Sequence, residues 1–185
     1  MAVTGVQAVP DSFRSRSAAL SRHYMYRIAL TRSDLHPIIE WRKCHFIRPP
    51  FCLEKVKPVC ELFQGTKNYA SFCHKYSEKP STYPTVRTID NFSIRPGRSL
   101  LDTSYDPLYN EIEFYEIHVK ARSFMYRQVR RMVAVVVAAA QNQMTVDEVQ
   151  QLFDQPGIWN PKAQTVPPHG LYLLDVDYEI PPEEQ

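Results

Sequence analysis

The sequence has no hydrophobic run long enough to cross a lipid bilayer. Its longest uncharged apolar stretch, residues 132–140, is nine residues long, whereas a transmembrane helix needs about 20. The first ten residues also lack the cationic lead and apolar centre of a secretion signal. We therefore expect no membrane partner and an intracellular location, with no targeting segment visible and a mitochondrial destination left open.

Cysteine and glycine are both sparse. The four cysteines are separated by 8, 8 and 13 residues, without the close CxxC pairs typical of metal and redox sites. Cys44-His45 and Cys73-His74 invite a zinc interpretation, but we predict free thiols and no metal site. Five glycines stand against fifteen prolines, which predicts many rigid, irregular connections between elements.

Charge is unevenly distributed along the chain, although the formal net charge is only +2. Residues 1–60 carry ten Lys and Arg against four Asp and Glu, a local net charge of +6. Residues 171–185 carry five acidic residues and no basic one. A basic front half predicts a surface that binds a polyanion.

Periodicity predicts several strands and helices. Tyr24, Tyr26, Ile28 and Leu30 alternate with other side chains, as in a half-buried strand. Further strands are expected over residues 1–9, 85–94, 111–121 and 171–178. A change of apolar parity in residues 111–121 predicts either a bulge or a strongly coiled strand there. Helices are expected over residues 53–64, despite Pro58, and from a Thr145–Glu148 capping box to Phe153. Strands outnumber helices without regular βαβ spacing, so we predict an α+β fold: an antiparallel sheet with helices packed on one face.

The stretch SFMYRQVRRMVAVVVAAA, residues 123–140, begins cationic and ends apolar. On a helix Arg127, Arg130 and Arg131 share one arc, which small alanines continue. The opposite stripe, which comprises Met125, Val129, Met132, Val133, Val136 and Ala140, is predicted to pack on the sheet. Three guanidinium groups at a helix N-terminus favour an anion site. The alternative is a solvated face whose arginines cover the core.

Five motifs together resemble one known family. FRSRSAALSRHYMY, SFMYRQVRRMV and GLYLLDVDY, with the weaker NYASFC and PTVRTI, are similar in order and spacing to the C-terminal two thirds of the TruA family of tRNA pseudouridine synthases. The arginine-rich version resembles the animal pseudouridine synthase-like branch. The resemblance implies the C-terminal half of a pseudouridine synthase fold. It divides the chain into residues 1–22, a remnant and connector from the N-terminal half, residues 23–180, an RNA-binding domain, and residues 181–185, an acidic tail.

The resemblance also implies an activity and a set of site residues. Such enzymes isomerise uridine to pseudouridine in tRNA without a cofactor, through an aspartate that attacks the nucleotide after its base has left the stack. Arg130 corresponds to the arginine that pairs with that aspartate, and Tyr24 to the tyrosine that packs on the target base. The remaining expected roles are Arg16 lining the cleft, Leu171 and Leu173 walling the base pocket, and Arg22, Lys43, Arg127 and Arg131 contacting RNA phosphates. The expected partners are tRNA and, as in bacterial relatives, a second copy of the chain.

The family's nucleophile motif, Arg-Thr-Asp-x-Gly-Val-His, is absent from the sequence. None of the nine aspartates has that context, and RTID at residues 87–90 falls in the wrong strand. We therefore expect a fragment that is inactive alone. The alternatives are a non-catalytic RNA-binding module, associated with tRNA or the ribosome, and an α+β interaction domain with no RNA role.

Overall fold

The computed structural model describes residues 3, 5–73, 84–100 and 107–179. Within them the strands are β1 (Ala19–Leu30), β2 (His45–Ile47), β3 (Gly65–Asn68), β4 (Val86–Pro96), β5 (Glu113–Ala121) and β6 (Leu171–Tyr178). The helices are α1 (Ser15–Ala18), α2 (Leu53–Leu62), α3 (Gln128–Ala140) and α4 (Val146–Asp154), with 3-10 turns at Ala70–Phe72, Pro107–Glu111 and Pro168–Gly170. The predicted acidic tail, residues 181–185, lies outside the described residues.

The strands form one sheet in which β1 is central. One edge of β1 pairs with β5 in antiparallel fashion, and β4 and β3 follow beyond it. The other edge is shared, because β6 pairs antiparallel with residues 19–26 of β1 and β2 pairs parallel with residues 28–30. The α+β class is confirmed, and the sheet is mixed because of the β1–β2 pair, which the sequence did not predict.

The helices cover one face of this sheet. Tyr26, Ile28, Ile117 and Val119 point to that face from β1 and β5, and all four are fully buried. α2, α3 and α4 supply the other side of the main core. The predicted alternation of side chains along β1 is therefore confirmed. The apolar positions of the alternation, including Tyr26 and Ile28, are those on the helix-covered face.

Strand β5 is regular, so the predicted bulge in residues 111–121 is wrong. Its register with β1 is continuous, and the irregularity lies on β4, between Ile89 and Asn91. The two apolar parities have separate explanations. Ile117 and Val119 face the main core, whereas Ile112 and Phe114 belong to a small second cluster on the opposite face.

Helix α3 is buried on nearly all sides, including the arc of small residues that continues from its arginines. Ala134 and Ala138 are as buried as the valines opposite them. Both α2 and the turn at Ala70–Phe72 contact α3, and α2 also contacts β4 of the sheet. Small side chains on α3 allow such close contacts.

Other local predictions have mixed outcomes. The capping box on α4 is confirmed, since Thr145 and Glu148 exchange both of its hydrogen bonds. Helix α2 accommodates Pro58 and ends at Leu62, two residues earlier than predicted. Residues 5–10 form no strand, and β3 was not predicted. None of the described helices is both long and apolar enough to cross a membrane.

Candidate active site at the start of helix α3

Tyr24 lies on the covered face of the sheet, near its rim. Its Cα partners are Val119 on β5 and Leu173 on β6. The half-buried ring meets Phe124 edge-to-face, with ring centroids 5.3 Å apart and an interplanar angle of 86°. Phe124 belongs to the connection between β5 and α3, so this contact ties the central strand to the start of the helix.

Strand β6 forms the neighbouring wall. Leu171 is in register with Tyr26 and packs against the main core. Leu173 is in register with Tyr24 and is 52% exposed. The structure therefore brings Leu171, Leu173 and Tyr24 together, and the exposed Leu173 extends an apolar floor toward solvent.

The turn that leads into α3 contains a left-handed residue and is stabilised by a buried side chain. Arg127 at the N-cap has φ 61°, the left-handed conformation, which a large side chain adopts at a cost of about 1–2 kcal/mol. Gln128 is completely buried, and its Oε1 accepts a hydrogen bond from the Met125 N–H at 2.9 Å. Sequence reasoning missed the role of Gln128, although the residue lies inside the arginine-rich motif.

Arg130 is anchored through one edge of its guanidinium. Nε donates to the Val166 carbonyl at 2.7 Å, and the Tyr26 hydroxyl donates to the adjacent Pro167 carbonyl, also at 2.7 Å. Arg130 and Tyr26 therefore bind neighbouring carbonyls of one backbone segment. The segment before β6 thus joins Arg130 to the same sheet face that carries Tyr24.

The charge balance around Arg130 is unfavourable. Burial first, and then the nearby charge of Arg127, lower the pKa of the Arg130 guanidinium. Within the described part of the chain, no carboxylate forms an ion pair with either arginine. The Nε of Arg127 is also buried without a hydrogen-bond partner among those residues. Neighbouring guanidinium groups without a carboxylate partner favour the approach of an anion.

The arginines predicted to act together have different surroundings. Arg131 donates from Nη1 to the carbonyls of Ser71 and Cys73 at 3.1 and 2.7 Å, and its guanidinium lies 4.4 Å from the Trp159 ring centroid. These contacts fix the turn at Ala70–Phe72 against α3. Arg131 differs from Arg130 in that its Nη1 is bound to these two carbonyls, although burial and the nearby charge of Arg127 lower the pKa of both guanidinium groups.

Arg22 and Arg16 lie near the connection between β5 and α3. Arg22 donates from Nη1 to the Arg122 carbonyl at 2.6 Å and from Nη2 to the Arg16 carbonyl at 2.8 Å. The side chain of Arg16, in the short helix α1, is exposed. Arg22 thus links α1 to the residues that precede Phe124.

Lys43 is separated from this group. Its carbonyl accepts hydrogen bonds from Arg27 and Tyr172, whose side chains lie on the face of the sheet opposite Tyr24. The loop that carries Lys43 lies on this other face, apart from Arg127 and Arg130. The expected contact of Lys43 with an RNA phosphate stays a prediction.

Metal chemistry has no visible support in this region. Among the described residues, no cluster of three or more His, Cys, Asp or Glu could hold a metal ion. The four cysteines are free thiols, and burial raises the pKa of both Cys44 and Cys60 to about 12. These two thiols are poor nucleophiles and poor ligands at neutral pH.

A family model described as tRNA pseudouridine synthase matches residues 59–179, well over half of the chain. The chain belongs to this tRNA pseudouridine synthase family. The matched region contains Arg127, Arg130 and β6, and the resemblance inferred from the motifs is confirmed.

Individual family members agree with that assignment. tRNA pseudouridine synthase-like 1 is 31% identical over 175 residues in Xenopus laevis and 34% identical over 176 residues in Homo sapiens. tRNA pseudouridine synthase A of Ehrlichia chaffeensis is 26% identical over 178 residues. The matches cover 92%, 92% and 96% of this chain but 57%, 56% and 64% of those proteins. The chain thus spans less than two thirds of the length of these three relatives.

Proposed function

We propose that the chain supplies the RNA-binding, arginine-bearing part of a tRNA pseudouridine synthase. The observation that carries the proposal is the Arg127–Arg130 pair: two neighbouring guanidinium groups beside a tyrosine-lined apolar floor, with no carboxylate from the described residues to balance them. An aspartate and a uridine phosphate are the two anions that such a reaction brings to one place.

Arg130 would act on the nucleophile. With Nε bound to the Val166 carbonyl, the guanidinium has a fixed direction, and its Nη groups are available to a carboxylate. A guanidinium next to a carboxylate favours the ionised form, which is the nucleophilic one. The isomerisation breaks the bond between N1 and C1′ and forms one between C5 and C1′. The C5 proton leaves and N1 gains a proton, so no redox partner is required.

Tyr24 and Leu173 would receive the extruded base. The Tyr24 ring is held by Phe124, and Leu173 is exposed beside it, so a flipped uracil meets an apolar surface on one side. Leu171 supports that surface from the core. Such a pocket repays part of the cost of removing a base from its stack, which is a few kcal/mol.

The cations around the floor would hold the RNA backbone. Arg127, Arg22 and Arg16 surround the connection between β5 and α3, where the strand must pass to reach Tyr24. Arg131 is committed to two carbonyls, so we assign it a positioning role in place of the expected phosphate contact. The division of the chain at residues 22 and 180, the homodimer and the intracellular location stay predictions from the sequence.

A non-catalytic RNA-binding module is the second candidate. It is favoured by one observation: no aspartate of residues 1–185 has the nucleophile context that the resemblance requires. Both candidates predict binding of tRNA, and they differ in whether Arg130 serves a reaction.

Release of tritium from 5-tritiated uridine in a tRNA transcript separates the two. We expect no release by the chain alone. We expect release once the chain is fused behind the segment that precedes the matched region in the Xenopus laevis relative. In that fusion, Arg130→Gln should lower the rate about 10²–10³-fold, whereas Arg95→Gln, an exposed arginine on the opposite face, should change it less than about twofold.

Each outcome has a definite meaning. Release by the isolated chain would show that the nucleophile lies within residues 1–185 and would overturn this division of labour. Binding of tRNA without release in the fusion would favour the RNA-binding module. Failure of the wild-type chain to bind tRNA at all would overturn both candidates.

A further inference from the structure

The connection between β1 and β2, residues 31–44, exposes large apolar side chains. Ile38 is 85% exposed and Trp41 is 57% exposed, and Leu35 lies in the same connection. Grouped apolar side chains of this size are uncommon on a soluble surface unless something binds there. We refer to residues 35–43 as the Trp41 loop.

The Trp41 loop is anchored to the rest of the fold by the buried side chain of Glu40. Glu40 is completely buried, and its Oε2 accepts a hydrogen bond from Arg27 Nη1 at 2.8 Å. Its Oε1 accepts the Leu100 N–H at 2.6 Å, and its carbonyl accepts the Cys44 thiol. A buried ion pair anchors the middle of the loop, so the exposed residues on both sides of Glu40 keep a fixed arrangement.

The aromatic rings of the Trp41 loop are stacked. The His36 ring is parallel to Phe46, with centroids 3.9 Å apart and an interplanar angle of 5°. Trp41 lies farther out toward solvent. Its ring centroid is 6.1 Å from that of His36, and the two ring planes are tilted by 26°. The row runs from the partly buried Phe46 to the exposed Trp41, so a further planar group can extend it.

The Trp41 loop carries two unpaired positive charges. Arg42 and Lys43 are exposed, and no acid among the described residues pairs with them. The acids of the same connection are already paired, Asp34 with Arg48 and Glu40 with Arg27, whereas Arg32 lies in a pocket that Glu111 and Glu113 also line. The partner that complements two unpaired cations beside stacked rings is a polyanion that carries planar groups.

We propose that the Trp41 loop is a second RNA-contact surface, on which an unpaired nucleotide stacks against Trp41 while Arg42 and Lys43 bind neighbouring phosphates. The inference rests on the proposed function and extends it to the face of the sheet opposite Tyr24. It also gives Lys43 an RNA contact away from the base pocket. Single-stranded RNA is the favoured ligand, because stacking on aromatic rings needs a base that is free of its helix.

Substitutions at Trp41 distinguish stacking from plain apolar docking. In the full chain, binding of fluorescein-labelled tRNA and of a 12-nucleotide single-stranded oligouridine is measured by anisotropy. Trp41→Ala should weaken binding of the oligouridine about 5- to 100-fold, and Trp41→Phe should weaken it less. Trp41→Leu keeps the apolar surface and removes most of the stacking, so it should behave like Trp41→Ala.

The cations are tested by the salt dependence of the same binding. Arg42→Gln with Lys43→Gln should lower the slope of log K against log salt by about 1.4, since each phosphate contact on a single strand contributes about 0.7. Lys57→Gln, an exposed lysine on α2 paired with Glu54, is the matched control and should leave the slope unchanged.

Two results would overturn the inference while the proposed function survives. One is wild-type RNA affinity in Trp41→Ala together with weakened binding in Arg127→Gln, which would confine RNA to the face that carries Tyr24. The other is full affinity in Trp41→Leu with a loss in Trp41→Ala, which would indicate an apolar protein partner. Absence of RNA binding by the wild-type chain would remove both proposals.

Discussion

The two faces of the sheet place polar groups in opposite ways. On the covered face, the fully buried Tyr26, Ile28, Ile117 and Val119 leave no room for charge, and Arg130 reaches that face only at its rim. On the other face, polar side chains run across the strands in a connected row. His23 contacts His118 at 3.0 Å, His118 contacts Glu116 at 3.1 Å, and Glu116 accepts from Arg95 at 3.1 Å.

The difference shows how one strand serves two purposes. Side chains of β1 alternate between a helix-packed core and a face where charge is stabilised by hydrogen bonds. Within that second face, Arg27 and Glu40 form a pair with almost no exposure, at 4% and 0% of their side-chain areas. The covered face is thus held by packing, and the opposite face by an ion pair that positions the Trp41 loop.

Removing one partner of the buried ion pair is the strongest way to test this contrast. Glu40→Ala leaves the Arg27 charge buried and uncompensated, so the free energy of unfolding should fall by about 3–5 kcal/mol. Urea unfolding followed by circular dichroism measures the loss. Glu54→Ala, which breaks the exposed pair with Lys57, should cost less than about 1 kcal/mol. The double change Arg27→Met with Glu40→Leu should recover much of the stability, and a loss below about 1 kcal/mol in Glu40→Ala would contradict the account.

A change at Gly170 tests the packing of the covered face. A Cβ at this position would lie 2.8 Å from Tyr26 Cζ and 2.9 Å from the Arg27 carbonyl oxygen. Gly170→Ala should therefore push β6 away from β1 and destabilise the chain by about 1–3 kcal/mol, as overpacking does. Gly5→Ala, where a Cβ meets nothing within 4 Å, is the control for urea unfolding. Equal stability of the two variants would show that β6 can shift without cost.

The sequence predicted elements whose signals are local. Alternation along β1 and the Thr145–Glu148 box need only neighbours in sequence, and both are found in the structure. The burial of Ala134 and Ala138 could not be predicted, because alanine suits an exposed helix face and a close helix contact equally well. The pattern of α3 therefore identified the helix without showing what packs behind it.

The candidate site could be predicted only in part, because its motifs are local in sequence and its packing partners are not. Tyr24, Arg130, Leu171 and Leu173 lie in motifs with a fixed order. The structure brings Tyr24, Leu171 and Leu173 together on β1 and β6 and binds Arg130 to the segment before β6, while the roles of the four residues stay predictions. The different surroundings of Arg130 and Arg131 depend on partners 36 and 60 residues away, Val166 and Ser71. The Arg27–Glu40 pair leaves no periodic signal, so the face on which Lys43 lies could not be known from charge alone.

Histidines on the two faces offer the subtlest comparison. His45 lies against Tyr26 on the covered face, and burial first, then the charge of His169, lower its pKa to about 4. The unfolded chain takes up that proton near pH 6.5, so stability from His45 is complete above that pH and is lost progressively down to about pH 4. By pH 5 the loss attributable to His45 should be about 1–2 kcal/mol. In His45→Gln, the difference between the free energies of unfolding in urea at pH 7.5 and at pH 5 should shrink by that amount.

Burial, followed by the charge of His118, also lowers the pKa of His23 on the opposite face of the sheet, but solvent screens that group. His23→Gln should therefore change the pH dependence less, and the reverse order would mean that the polar row, rather than the helix-covered core, governs the response to acid.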